Sequence, residues 1–291
     1  MHQFTIATLV EVTKLRSGME WLVIESVARQ NLLVASGFAE GSGGGHVLRP
    51  TMKVRRDIGG YRISGVKRPC SLSSSMDMLA VSMLVSDHPD GEQFAVALVS
   101  ARDPGMSVLP FWRSPVLGGA ETNEVILADV DAPESVVSYA GSPDDLDTVQ
   151  IRGYLWFQLL IASAYVGVAS RLVAMGLDAA GPEASDAIAA VAALETAISA
   201  LEGAGAAFEA DHGDDESLLA RVLLVRHGVE DLVVRASDLG LRLVGARGFA
   251  ASGDAAVLLA SCRALSWHPP SRERALPSLA SYLSGAALTA F

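Results

Sequence analysis

His268 is the residue best placed by type and context to do chemistry. It closes a helical run and is followed by Pro269-Pro270, which fixes the chain direction after it. Imidazole titrates near neutral pH, so a general acid or base is one reading. A histidine answering the dipole at a helix C-terminus is the other. Arg263 and Trp267 stand one helical turn apart and are spaced to stack on one face; Arg263 and His268 do not share a face. The run Gly41-Ser42-Gly43-Gly44-Gly45 offers permissive backbone for a phosphate. It lacks the Lys-Ser/Thr ending of a phosphate-binding loop and no helix follows, so a hairpin connection is expected. Ser71, Ser73, Ser74 and Ser75 follow Cys70 with no Gly-x-Ser-x-Gly elbow, which disfavours a hydrolytic nucleophile. Hydroxyls at a strand end serve turns or donate to a ligand.

The remaining candidates read as ordinary. His2, His88 and His212 sit at the terminus or in polar loops, His227 lies inside a helix beside Gly228, and His46 follows the glycine run. Cys70 and Cys262 are far apart and neither has metal-ligand or Cys-x-x-Cys spacing, so no zinc site, no disulfide framework and a cytoplasmic compartment are expected.

The elements that must position these residues change texture along the chain. Residues 1–30 read as one helix or two short ones, from the spacing of Ile6, Leu9, Val10, Trp21, Leu22, Ile24 and Val27. From 31 to 140 the runs are short and β-rich: 32–34, 52–54, 61–63, 79–85, 94–99 and 124–130. Turn signals at Gly59-Gly60, 88–91 and 103–105 separate them. A barrel or sandwich follows, and the lack of βαβ alternation disfavours a dinucleotide-binding sheet. Ser36 to Ser75 stands out as a strand, glycine-rich turn and polar hairpin, and is expected to wall a cofactor pocket. Pro133 and 142–145 mark a boundary. Helices are then expected over 148–177, 183–208, 217–244 and 253–267, with a short one after Ser271, giving a four-helix bundle over 148–291 whose Ala-rich faces suit oligomer contacts. The expected class is α+β, a middle β-barrel domain followed by the bundle.

Composition bounds the partners. The 291 residues include 33 acidic and 22 basic ones, a net charge of −11, which excludes a general nucleic-acid-binding face. No signal peptide is visible at the N-terminus. The run Tyr154 to Ala169 is short of the roughly 20 residues that span a bilayer, so a buried helix is expected and no membrane partner.

The order of segments resembles the acyl-CoA dehydrogenase superfamily over nearly the whole chain. Phe38-Ala39-Glu40, the glycine run and Gly60 to Lys67 look like the family's Thr-Glu, Gly-Ser-Asp and Asn-Gly-Gln-Lys segment. Leu117-Gly118-Gly119 to Asp129–Pro133 is similar to the segment closing its β-domain. Ile161 to Ser170 resembles its first bundle helix, and Gly245-Ala246-Arg247-Gly248-Phe249 its Gly-Gly-Asn-Gly-Phe turn. The resemblance implies FAD, or FMN arriving as reduced diffusible flavin. It implies that Phe38, Ala39, Cys70, Ser71, Gly245 and Gly248 border the cofactor and that Ser71 takes the place of the threonine near flavin N5. Ala39 replaces a second threonine and Gly45-His46 replaces Ser-Asp, which leaves backbone contacts there.

Three departures bear on activity. The segment before Asn31 is far shorter than the family's N-terminal helical domain, which implies a start upstream of Met1, a partner chain that supplies the missing wall, or a degenerate member. The Arg-x-x-Phe-Gly segment that grips the FAD pyrophosphate has no counterpart after Arg171. The catalytic glutamate is missing, and its position falls at or near His268-Pro269, where proline also lacks the N–H that polarises a thioester carbonyl. The pattern Arg263…His268-Pro269-Pro270…Arg274…Leu283-Ser284-Gly285 looks more like the flavin monooxygenase branch, in which a histidine holds this position. The leading expectation is an oxidoreductase of the acyl-CoA dehydrogenase type acting on an acyl thioester or similar small substrate, with His268 transferring a proton. The alternatives are a two-component monooxygenase served by a flavin reductase, and a silent subunit completing a paralogue's pocket. Homo- or hetero-oligomerisation through the bundle is expected in each case.

Overall fold

A computed structural model describes residues 1–15, 20–41, 49–144, 147–210 and 214–288. Most of the glycine run, with His46 and His212, lies outside the described residues. The chain divides into two compact units, Met1–Gly153 and the chain from Tyr154 onward.

The first unit begins with two helices, α1 (His2–Leu15) and α2 (Glu20–Gln30), and continues through eight strands. These are β1 (Val34–Gly37), β2 (Lys53–Asp57), β3 (Gly60–Cys70), β4 (Met78–Val85), β5 (Gln93–Ser100), β6 (Met106–Leu109), β7 (Asn123–Pro133) and β8 (Val137–Tyr139). The strands form two four-stranded sheets, β1-β4-β5-β8 and β2-β3-β7-β6. Where the sequence predicts a barrel, no closed barrel forms among the described residues. Each sheet keeps two edges, because β1 joins β4 in parallel and β2 pairs only with β3. The sheets share one core. Leu79, Val81, Met83 and Val85 of β4 and Ala95, Ala97 and Val99 of β5 meet Tyr61, Ile63 and Cys70 of β3 and Val125, Leu127, Val130 and Ala132 of β7. The alternate residues of β4 and β5, Ala80 and Leu98, face Leu9 and Val27 of the two helices. These strands are therefore apolar on both faces, which is why they read as nearly continuous hydrophobic runs.

The second unit is helical. It holds α3 (Thr148–Ala180, whose first turn belongs to the first unit), α4 (Ala187–Glu209), α5 (Asp215–Ala251), α6 (Asp254–Arg263), a 3-10 turn (Ala264–Trp267) and α7 (Arg272–Leu283). Asp214 starts α5 by accepting the Ser217 N–H at 3.0 Å, satisfying one orphan donor of the first turn. Gly245 (φ 65°, ψ 175°) interrupts α5, so the helix expected over 217–244 ends there and a second segment resumes. A Cβ on Gly176 would lie 2.6 Å from Leu243 Cβ, and one on Gly240 3.1 Å from the Val173 nitrogen. The two glycines thus let α3 and α5 approach closely. Helices α3 and α4 are, by length and composition, long and apolar enough to cross a bilayer. Leu155, Ala162, Ala169 and Leu172 of α3 and Ala190, Ala197 and Ala204 of α4 are buried in the unit.

Candidate functional site

In the first unit the residues of interest gather where β3 ends. Lys67 is fully buried and donates to Glu40 Oε1 at 2.7 Å and to Ser82 Oγ at 3.0 Å. Glu40 also accepts from the N–H and hydroxyl of Thr51. Burial pushes the Lys67 ammonium down to about 8, against the pull of Glu40. At Glu40 burial acts to raise the carboxyl, but hydrogen bonds from Lys67 and Thr51 outweigh it and hold it low. The two ends of the motif that spans 40–67 are therefore physically joined beside the described start of the glycine run, and they anchor β3.

Beyond that anchor, Cys70 is in the core. Its thiol donates to the Ser36 carbonyl at 3.4 Å, and burial raises it to about 12, which makes it unreactive. Only its backbone remains to face a ligand. Phe38 packs its ring against Phe4 and Phe94, with centroids 6.1 and 6.5 Å away, so its side chain belongs to the packing under α1. The Ala39 carbonyl accepts from Arg68 N–H at 2.8 Å.

Ser71 has the most useful chemistry of this group. Its Oγ lies 2.9 Å from Thr122 Oγ1. Ser73 Oγ donates to the Glu121 carbonyl, and the Asn123 amide donates to the hydroxyls of Ser73 and Ser74. Leu72 (φ 68°) and Glu121 (φ 50°) are left-handed non-glycine residues, one on each chain of this turn. Such backbone persists where the surroundings over-determine it, and it clusters at ligand clamps. Two paired hydroxyls carry two protons and use one between them, so one O–H stays available to an acceptor.

In the second unit His268 sits just past the 3-10 turn. Its Nε2 lies 2.9 Å from Tyr165 Oη on α3, and the Phe157 ring meets it edge-on at 6.2 Å. Arg226 of α5, 1% exposed, donates to the carbonyls of Leu265 (2.6 Å), His268 (3.0 Å) and Pro270 (3.1 Å). Gln158 of α3 donates to the Pro269 carbonyl at 2.9 Å. Two buried side chains thus satisfy the carbonyls on both sides of His268. Burial, then the Arg226 charge, pushes the imidazole down to about 4, so it is neutral at physiological pH. Gly245 supplies the break in α5, and a Cβ on Gly248 would strike Val244 Cγ1 at 2.7 Å. Arg263 is paired with Asp238 and Trp267 is exposed, so the expected stack between them does not form.

Sequence reasoning named Ser71 and His268 but missed Thr122, Tyr165, Gln158 and Arg226. A signal existed for Arg226. It falls on the buried stripe Leu219, Leu223, Arg226, Val229, Val233, where a charge is out of pattern. Tyr165 was hidden in an apolar run, where an aromatic reads as core. A separate apolar groove of about 360 Å³ runs along α3 and α4, lined by Trp156, Leu160, Ile198, Leu201 and Phe208, and does not include His268.

No protein-family model matches the sequence. Isobutylamine N-hydroxylase of Streptomyces viridifaciens is 37% identical over 294 residues, covering 99% of this chain and 77% of that protein. Among the solved structures that share the fold are the following two. FMN-bound TdsC, a dibenzothiophene monooxygenase of Paenibacillus sp. A11-2, matches with a TM-score of 0.76 at 18% identity over 94% of this chain and 76% of that one. A probable acyl CoA dehydrogenase of Mycobacterium abscessus matches with a TM-score of 0.74 at 14% identity over 90% and 72%.

Proposed function

The chain belongs to the acyl-CoA dehydrogenase-like flavin enzymes, the family of isobutylamine N-hydroxylase, and from that premise we propose that it is the oxygenase of a two-component flavin monooxygenase acting on a small amine. It is a flavin-dependent oxidoreductase, and its cofactor is FMN or FAD. Within the family, the monooxygenase reading is preferred over a dehydrogenase reading on one observation. The position where a dehydrogenase needs a carboxylate base carries His268, neutral and pushed down to about 4. A base that weak is poorly matched to removing the α-proton of a thioester. An oxygen transfer to nitrogen needs no such base, because the amine brings its own lone pair.

The residues fit a flavin. The spare O–H of the Ser71–Thr122 pair is the donor that a flavin ring nitrogen or carbonyl would accept, and the strained turn at Leu72 and Glu121 holds it in place. Bound reduced flavin would supply the two electrons which, with O2, place one oxygen atom on the amine nitrogen and release the other as water, giving R–NHOH and oxidised flavin. Ser71 would bind and orient the ring, with backbone of Phe38, Ala39 and Cys70 beside it. His268 would hydrogen-bond at the reacting atoms. Gly245 and Gly248 would shape the turn that borders the cofactor.

The finer architecture follows the same reading. Residues 1–30 form an N-terminal helical segment, 31–140 the flavin and substrate domain, and 148–291 a four-helix bundle with a short C-terminal helix. The exposed apolar faces of α3 and α4 suit self-association or pairing with a paralogue. The enzyme would work in the cytoplasm beside a flavin reductase.

The test is direct. Purified protein is incubated with FMN or FAD, a flavin reductase, NADH, ¹⁸O₂ and isobutylamine. One labelled oxygen in a hydroxylamine product is expected. Absence of flavin binding in both redox states, or dehydrogenation of an acyl thioester under anaerobic conditions with an electron acceptor, would overturn the proposal.

A further inference from the structure

We infer that Tyr165 fixes His268 in the tautomer with its proton on Nδ1, so that the imidazole serves the reaction as an Nδ1–H hydrogen-bond donor and Tyr165 is its positioning residue. The inference rests on the reading of His268 as the residue at the reacting atoms, and deepens it.

Tyr165 is 4% exposed, and its phenol carries one proton. Its only hydrogen-bond partner among the described residues is His268 Nε2, at 2.9 Å. If Nε2 carried the proton and donated to Oη, the buried phenol proton would be left without an acceptor. If Oη donates, Nε2 is bare, every group in the pair is satisfied, and the neutral ring must carry its proton on Nδ1. Nδ1 has no partner among the described residues and is not among the sealed-off polar atoms.

The ring is held by its main chain and by its packing. Arg226 holds the His268 carbonyl, Gln158 holds the Pro269 carbonyl, and the His268 N–H donates to Leu265 O at 3.2 Å. The rings of Tyr165 and Phe157 bracket the imidazole, with centroids 5.5 and 6.2 Å away. The titratable groups around it come from four helices. They are Tyr165 on α3; Arg226, His227 and Glu230 on α5; Cys262 on α6, beside Tyr165; and Arg272 on α7, which pairs with Glu230 and Asp231. Among the described residues no carboxylate pairs with the imidazole, and the Arg226 cation is the side-chain charge that acts on it. The ring therefore stays uncharged through the physiological range, and the phenol decides which nitrogen is protonated.

The experiment is two-bond ¹H–¹⁵N correlation of the holoenzyme labelled at histidine, with the His268 signals assigned by their loss in His268→Asn. A single neutral tautomer protonated at Nδ1 is expected. A proton on Nε2, or a doubly protonated ring at neutral pH, would overturn the inference. Tyr165→Phe keeps the ring packing and removes the phenol, and should bring a population of Nε2–H tautomer; an unchanged spectrum would remove Tyr165 from its role. In the amine oxidation assay, His268→Asn places an amide N–H near the Nδ1 position and His268→Gln near Nε2. The Gln variant is expected to lose about a hundredfold in kcat/KM and the Asn variant about tenfold; the reverse order would sink the donor role. A ring protonated at Nδ1 in an enzyme that oxidises no amine would refute the proposed reaction and leave the positioning intact, so the two failures are distinguishable.

Discussion

Arg226 Nη2 donates to the main-chain carbonyl of His268 at 3.0 Å, from a side chain that is 1% exposed. The same guanidinium reaches Leu265 and Pro270, and Glu230 lies 3.5 Å away as its counter-charge. One buried cation thus folds the 265–270 segment around itself. Replacing it with methionine would strand three carbonyls and leave Glu230 with Arg272 and His227 alone. Arg226→Met is expected to cost about 3–5 kcal/mol in urea denaturation. Arg226→Lys should recover less than half of the loss, since one ammonium cannot match the fork geometry.

The hydroxyl pair in the first unit gives a binding prediction. Ser71→Ala removes the spare donor and should weaken flavin affinity up to about tenfold, the worth of one hydrogen bond. Thr122→Val should do the same through Ser71, while Thr122→Ser should bind as wild type. Fluorescence titration of oxidised flavin and anaerobic titration of the reduced form read this. Undiminished affinity in Ser71→Ala would remove Ser71 from the cofactor site.

His268 ties stability to pH. Its folded value, about 4, lies below the ordinary 6.5, first because of burial and then because of Arg226. Between these values the unfolded chain binds more protons than the folded one, so stability rises with pH across the window. The contribution is present in full above pH 6.5 and is lost as pH falls towards 4. Wild type should lose about 3 kcal/mol more than His268→Asn between neutral pH and the lower end of this window, measured by chemical denaturation at each pH.

Two glycines of α5 should answer oppositely to alanine. Gly245 has φ 65° and ψ 175°, a region open only to glycine, and Gly245→Ala is expected to cost about 1–3 kcal/mol. Gly228 is exposed, lies in regular helix, and a Cβ there meets nothing within 4 Å. Gly228→Ala should stabilise by up to about 1 kcal/mol. Thermal melts of the two variants check the pair.

The strands and helices were largely legible because burial leaves a period. The runs 79–85 and 94–99 became β4 and β5 with ends shifted by one residue, and 148–177 became the greater part of α3. Two short strands, β6 and β8, escaped. Met106–Leu109 has no buried residue, and Val137–Tyr139 is only half-buried, so neither shows an alternating pattern. Strand count alone predicts a closed barrel. Edge pairing decides closure, and local sequence does not encode which edges stay open.

The sequence by itself determined the order of elements, the motif ends at Glu40 and Lys67, the hydroxyl after β3 and the histidine before two prolines. All of these are carried by residue type and spacing along the chain. Only the tertiary structure decided that Glu40 and Lys67 form one buried pair, that Ser71 answers to Thr122 51 residues away, and that His268 lies between Tyr165 and Arg226. The reason is physical. A side chain's chemistry is set by the dielectric around it and by the partners within hydrogen-bond reach, and both are properties of distance in space.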